Sequence, residues 1–174
     1  MRAGSWGPQI AIVVLSVWLG GALLAIGAVA PAAFAVLPSR TIAGAMVGRV
    51  LSVVFVSGIA AAIISVLCEA SLSLNAFSLK VSGPLIALAA GCAIAQFVIT
   101  PRIEKIRIAV GGPLDGLDVH DPRRMQFGRL HAFSVAWLAV AMLGAAIAIG
   151  MQVRAIRHPL TLSFDESLQL RDAN

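Results

Sequence analysis

The chain has 174 residues, of which 59% are hydrophobic and 12% are charged, and its mean hydropathy is +0.94. A soluble domain is about half apolar and about a quarter charged, so this composition excludes an ordinary soluble fold and a disordered chain. The formal charge is +5. Because the cations lie mainly at the ends of apolar segments, we expect the lipid bilayer, and no nucleic acid, as the partner.

Ionisable residues divide the chain into four long apolar segments, which predict four transmembrane helices. The helices are expected at about residues 10–30, 46–68, 81–100 with an extension to about 110, and 122–151. Each apolar stretch approaches the roughly 20 residues that cross a bilayer core, and none has the period-two alternation of a barrel strand. The predicted fold is all-α, an integral membrane four-helix bundle in residues 1–151, followed by a polar C-terminal tail in residues 152–174.

The end of the first segment admits two interpretations. Ala28-Val29-Ala30 resembles a signal-peptide cleavage site. The length of the segment and the proline that follows, Pro31, favour a retained helix. A connection is then expected from Pro31 to about Ala45, in which Pro38 breaks the helix and Ser39 or Thr41 caps the second helix.

Small residues at four-residue steps predict close packing between helices. They are Gly44 and Gly48 entering the second helix, Ala87, Gly91 and Ala95 on the third, and Gly144 and Ala148 on the fourth. Packing within the chain is the main interpretation, and a homodimer is the alternative.

The third helix is expected to continue past Pro101, because apolar residues at positions 99, 103, 106 and 110 follow helical spacing on one face. Pro101 removes a backbone donor, leaves the Phe97 carbonyl without its usual partner and predicts a kink near the membrane surface. Arg102 and Glu104 follow directly.

The fourth helix is expected to begin at Asp121-Pro122, an N-cap followed by proline in the first turn. Arg124, Phe127, His131 and Ser134 then share one face. A histidine at the entrance of a span is a candidate metal or haem ligand, a proton carrier or a partner of an acid. A histidine that binds a backbone carbonyl at the interface is the alternative.

The first and third loops lie on one side of the membrane, so Arg49, Arg102 and His131 are expected to meet there with Glu104 as counter-charge. The full set of candidate binding residues is Arg49, Pro101, Arg102, Glu104, Arg124, His131 and Ser134. No hydrolase, phosphate-binding or dinucleotide motif is present, and we expect neither enzyme activity nor a cofactor.

Eight of the 13 Lys and Arg residues flank the first and third loops, and the other five flank the termini and the second loop. Cytoplasmic loops collect such cations, which favours both termini outside a bacterial inner membrane.

Short segments along the chain resemble the four-helix membrane family of transmembrane protein 205 and its bacterial relatives. The segments are Trp18-Leu19-Gly20-Gly21, Ala30-Pro31 with Phe34, Leu37-Pro38, Thr100-Pro101-Arg102, and Phe127 with His131 and Ser134. The resemblance implies a membrane protein without a catalytic role, and a eukaryotic member of the family is linked to drug resistance and trafficking. Asp165 and Glu166 lie outside it.

Together these observations predict a non-enzymatic accessory or interaction subunit with a small-molecule or ion site, and membrane proteins or a second copy as partners. The alternative is a redox or transport protein that binds haem or metal through His131.

Overall fold

The computed structural model describes residues 6–70, 79–118 and 120–172, so most of the predicted second connection lies outside the described residues. Helix α1 spans Gly7–Val36, α2 spans Arg40–Ala70, α3 covers residues 79–110, and α4 spans Pro122–Asp172. All four are long and apolar enough to cross a membrane, and the described residues contain no strand. The predicted all-α four-helix membrane bundle is confirmed.

The helices form a ring in chain order, because α1 and α3 each pack against both α2 and α4. The core between them is apolar and includes the fully buried Leu15, Phe55 and Leu88. The outer faces are apolar as well, since Val17 is 70% exposed and Leu143 is 62% exposed. A helix that is apolar all round is typical of a span whose outer face contacts lipid.

Close helix contacts occur at small residues, as predicted for α3 and α4. A Cβ added at Gly91 would lie 2.8 Å from the carbonyl oxygen of Trp137, and one added at Gly144 would lie 2.6 Å from the carbonyl oxygen of Pro84. Between α1 and α2, the buried Trp18 donates a hydrogen bond from Nε1 to the carbonyl oxygen of Val54 at 2.9 Å. These contacts fix the half of the bundle that lies away from the first and third loops.

The predicted first connection is too long. Helix α1 continues to Val36 because a π-helical turn, Ala25–Val29, places Pro31 at the start of a new α-helical segment, where its missing donor is tolerated. Only residues 37–39 separate α1 from α2. Ser39 caps α2 as predicted, with its Oγ accepting a hydrogen bond from the backbone of Ile42 at 3.2 Å.

Helix α3 also contains a π-helical turn before a proline, and it continues past Pro101, as predicted. The π-helical turn Ile94–Ile99 comes directly before Thr100–Val110. The Thr100 hydroxyl donates to the carbonyl oxygen of Ala95 at 2.9 Å. Helix α3 ends at Gly111, whose φ of 63° is the left-handed conformation that glycine tolerates best.

Helix α4 begins as predicted but extends further. Asp121 accepts a hydrogen bond from the backbone of Arg123 at 2.8 Å, and the Arg123 side chain lowers the pKa of Asp121 through hydrogen bonding. The predicted end at residue 151 is wrong, because the helix continues to Asp172. The candidate membrane span within this helix covers Pro122–Ile156.

Candidate functional site

The first and third loops lie at the end of the bundle that contains a cavity of about 1250 Å³. Its walls come from the first half of α2, the second half of α3 and the beginning of α4, and residues 111–114 form part of its rim. Small-molecule sites in proteins are typically about 300–1,000 Å³. The cavity is therefore large enough for a ligand.

Arg107 of α3 crosses the mouth of this cavity to α2. Its Nη2 donates to the carbonyl oxygen of Gly44 at 3.0 Å. A Cβ added at Gly44 or Gly48 would lie 3.4 Å or 3.5 Å from the guanidinium nitrogens, so the guanidinium lies directly on this face of α2. Gly44 and Gly48 were predicted to serve packing between helices, and the side chain that packs against them is Arg107.

An aromatic pair on α4 supports the same guanidinium. The Arg107 guanidinium carbon lies 5.7 Å from the centre of the Phe127 ring, within the range of a cation–π interaction. The Phe127 ring stacks on His131 with 6.3 Å between ring centres and an interplanar angle of 4°. His131 is exposed, whereas Ser134, one turn further along α4, is buried and also lines the cavity.

The rim of the cavity is cationic. Arg40, Arg49 and Arg107 line it, and Glu104 is the acid found among its described lining residues. Glu104 is 58% exposed and lies 3.8 Å from Arg107, a distance at which an exposed ion pair contributes little. The three arginines and one glutamate leave this rim with a formal charge of +2.

Below the rim, the walls of the cavity are mostly apolar, with Phe97 and Ile103 on α3 and Leu51 and Phe55 on α2. The polar lining residues there include Gln96, whose Oε1 is buried without a hydrogen-bond partner among the described residues. A buried acceptor without a partner costs about 1–3 kcal/mol.

A second cavity of about 260 Å³ adjoins the first between α1 and α4. The two share lining residues, among them Phe34, Leu51 and Phe55. The smaller cavity is otherwise lined almost wholly by apolar side chains, such as Ile26 and Leu138. Residues 25–36 of α1 pack mainly against α2, and this arrangement leaves space between the end of α1 and α4.

The structure brings together most of the predicted site residues. Those that line the large cavity are Arg49, Pro101, Glu104, His131 and Ser134. Arg102 is exposed and lies outside the lining. Arg124 also lies outside it and donates to the carbonyl oxygen of Leu117 at 2.8 Å, so that it holds the third loop against α4.

Arg107 and Gln96 were not among the predicted site residues. In the sequence, Arg107 is one of several cations at the end of α3, and only the fold shows that it faces Gly44 and Gly48. The sequence did contain a pattern that could have indicated them. Gln96, Thr100 and Arg107 are polar and lie on one face of α3 at helical spacing.

Among the described residues, no group of three or more His, Cys, Asp or Glu side chains is placed to hold a metal ion. The aromatic neighbour of His131 is Phe127, which cannot ligate a metal. Haem or metal binding through His131 stays a prediction that this geometry does not favour.

Four helices that are long and apolar enough to span a membrane, with a cavity of cationic rim at one end, define a small polytopic membrane protein. The chain belongs to the family described as Domain of unknown function (DUF4149), whose family model matches residues 13–110. The match extends from α1 to the end of α3, and includes Arg49 and Arg107 but not His131. No curated protein and no solved structure matches the chain.

Proposed function

We propose that the protein is a non-enzymatic accessory or interaction subunit of a membrane-protein complex, and that it holds a small molecule or ion in the large cavity. The observation that carries the proposal is the cavity of about 1250 Å³ with a cationic rim. Its lining supplies guanidinium donors, a carboxylate and an amide, which suit binding and orientation of a ligand.

We also propose that the chain is related to transmembrane protein 205 and lies in a bacterial inner membrane. The resemblance at Ala30-Pro31, Thr100-Pro101 and His131 supports kinship with transmembrane protein 205. The excess of cations around the first and third loops supports a bacterial inner membrane with both termini outside. In that orientation the mouth of the cavity faces the cytoplasm.

Ligand binding is tested by filling the cavity. Ser52 lines the cavity from α2, whereas Ser57 is exposed and does not line it. A Ser52→Trp variant is expected to lose ligands that co-purify with the wild-type protein and are detected by native mass spectrometry. The matched Ser57→Trp variant is expected to keep them. Equal retention by both variants would contradict a ligand site in this cavity.

The role as a subunit is tested by chemical crosslinking in native membranes followed by purification of the full chain. A constant membrane-protein partner is the expected result. Recovery of the uncrosslinked monomer alone, under conditions that crosslink known complexes in the same membranes, would contradict this part of the proposal. A crosslinked homodimer would instead identify the partner as a second copy.

A further inference from the structure

Building on the proposed function, we infer that the ligand is an anionic membrane lipid. Its head group binds at Arg107 and Arg49, and its acyl chain lies against Leu51 and Phe55. The lipid enters from the bilayer through the smaller cavity between α1 and α4.

The charge at the rim selects an anionic head group. Among the described residues, the Arg107 guanidinium donates a hydrogen bond to the Gly44 carbonyl and lies 3.8 Å from the Glu104 carboxylate, and a guanidinium has five N–H donors. Arg49 lines the same rim and is exposed. Guanidinium groups bind phosphate and carboxylate oxygens in a two-point geometry, and this makes them well suited to an anionic head group.

The depth of the cavity matches one leaflet of a bilayer. Arg107 lies 11 positions after Gln96 on α3, and Phe55 lies 11 positions after Gly44 on α2. An offset of 11 positions corresponds to about 16 Å along a helix. One leaflet is half of a hydrocarbon core of roughly 30 Å, so a chain held at the rim would reach the floor at Phe55.

The walls below the rim suit an acyl chain. Both helices line this part of the cavity with apolar side chains, namely Phe97 and Ile103 on α3 and Leu51 and Phe55 on α2, and the polar residues among them are Gln96, Thr100 and Ser52. A soluble anion would leave the apolar wall in contact with water. An acyl chain would cover it, and each buried CH₂ group stabilises the complex by about 0.8 kcal/mol.

The smaller cavity provides a route from the bilayer. It opens between α1 and α4 beside Ile26 and Val135, which are 41% and 50% exposed on the outer face of the bundle. It adjoins the large cavity at Phe34 and Leu51. A lipid can therefore move sideways into the bundle with its chain in apolar surroundings throughout.

Native mass spectrometry of the full chain in neutral detergent tests the inference with two lipids of identical acyl chains. Phosphatidylglycerol is the anionic probe and phosphatidylcholine the zwitterionic one. We expect Arg107→Gln and Arg49→Gln each to weaken phosphatidylglycerol binding about tenfold, the effect of losing a charge-assisted hydrogen bond. Arg102→Gln, which removes an exposed arginine outside the lining, is the matched control and is expected to bind as the wild type does.

The results separate this inference from the proposed function. Equal binding of both lipids by the wild type, or an equal loss in the Arg102 control, would overturn the anionic-lipid inference. If Ser52→Trp blocked lipid binding in that case, the proposed ligand site would stand without the anionic-lipid inference. If Ser52→Trp blocked the binding of neither lipid, the proposed ligand site and the anionic-lipid inference would both fail. Soluble glycerol phosphate that bound as tightly as phosphatidylglycerol would identify a soluble anion and overturn the lipid inference.

Arg107 also contacts α2, so its variant is checked by thermal unfolding in the same detergent. If Arg107→Gln does not fold, the Arg49 variant decides the outcome. Arg107→Lys keeps the charge but loses the planar fork, and it is expected to bind phosphatidylglycerol more tightly than Arg107→Gln and less tightly than the wild type.

Discussion

Replacement of Gly144 by alanine tests the contact between α3 and α4. The new Cβ would lie 2.6 Å from the carbonyl oxygen of Pro84 and 3.1 Å from the backbone nitrogen of Leu88. Both atoms belong to the backbone and cannot rotate away. The helices would have to separate by about 0.8 Å to reach an ordinary contact of 3.4 Å, and overpacking of this kind costs about 1–3 kcal/mol.

The assay is the free energy of unfolding in mixed micelles, followed by circular dichroism. Gly150→Ala is the matched control, because it makes the same change on the same helix with no atom within 4 Å of the new Cβ. Alanine forms helices better than glycine by about 1 kcal/mol in both variants, so their difference isolates the packing effect. Equal stability of Gly144→Ala and Gly150→Ala would refute the backbone contact between α3 and α4.

Three further predictions concern other contacts. Trp18→Phe removes the hydrogen bond to α2 and should lower the free energy of unfolding by about 0.5–1.5 kcal/mol in the same assay, and an unchanged value would contradict the bond. Gly111→Ala forces alanine into the left-handed conformation at a cost of about 1–2 kcal/mol, whereas Gly112→Ala should be neutral. The pKa of Asp121, measured by carboxyl NMR, should lie below its ordinary value of 3.8. Its stabilising contribution should therefore be complete above pH 3.8 and be lost as the pH falls through the lower pKa of the folded protein, and a pKa at or above 3.8 would contradict the cap.

The number of helices follows directly from the sequence, because only long apolar segments can cross a bilayer. The same reasoning identifies Gly91 and Gly144 as sites of close packing, since small residues are what permit helix backbones to touch in lipid. The helix caps at Ser39 and Asp121 could also be predicted from the sequence. At both positions a side-chain oxygen accepts a hydrogen bond from a backbone N–H in the first turn of the helix.

Helix ends were harder to predict, because apolar content marks where the chain leaves the bilayer and not where the helix stops. The π-helical turn before Pro31 allows α1 to continue to Val36, and no local pattern distinguishes it from a helix that ends. The role of Arg107 could not be predicted from the sequence, because its hydrogen-bond partner Gly44 lies 63 positions away on α2 and only the fold brings the two together. The face formed by Phe127, His131 and Ser134 was predictable because it lies within one helix.

Photo-crosslinking tests most directly whether a lipid occupies the cavity. Phosphatidylglycerol with a photoreactive group near the end of its acyl chain is incorporated with the full chain into nanodiscs, and the adducts are located by peptide mass spectrometry. Lipid in the cavity predicts adducts concentrated at Leu51, Phe55 and Leu138, which line the two cavities. Adducts spread over the outer faces at Val17 and Leu143, with none at the cavity residues, would contradict the account.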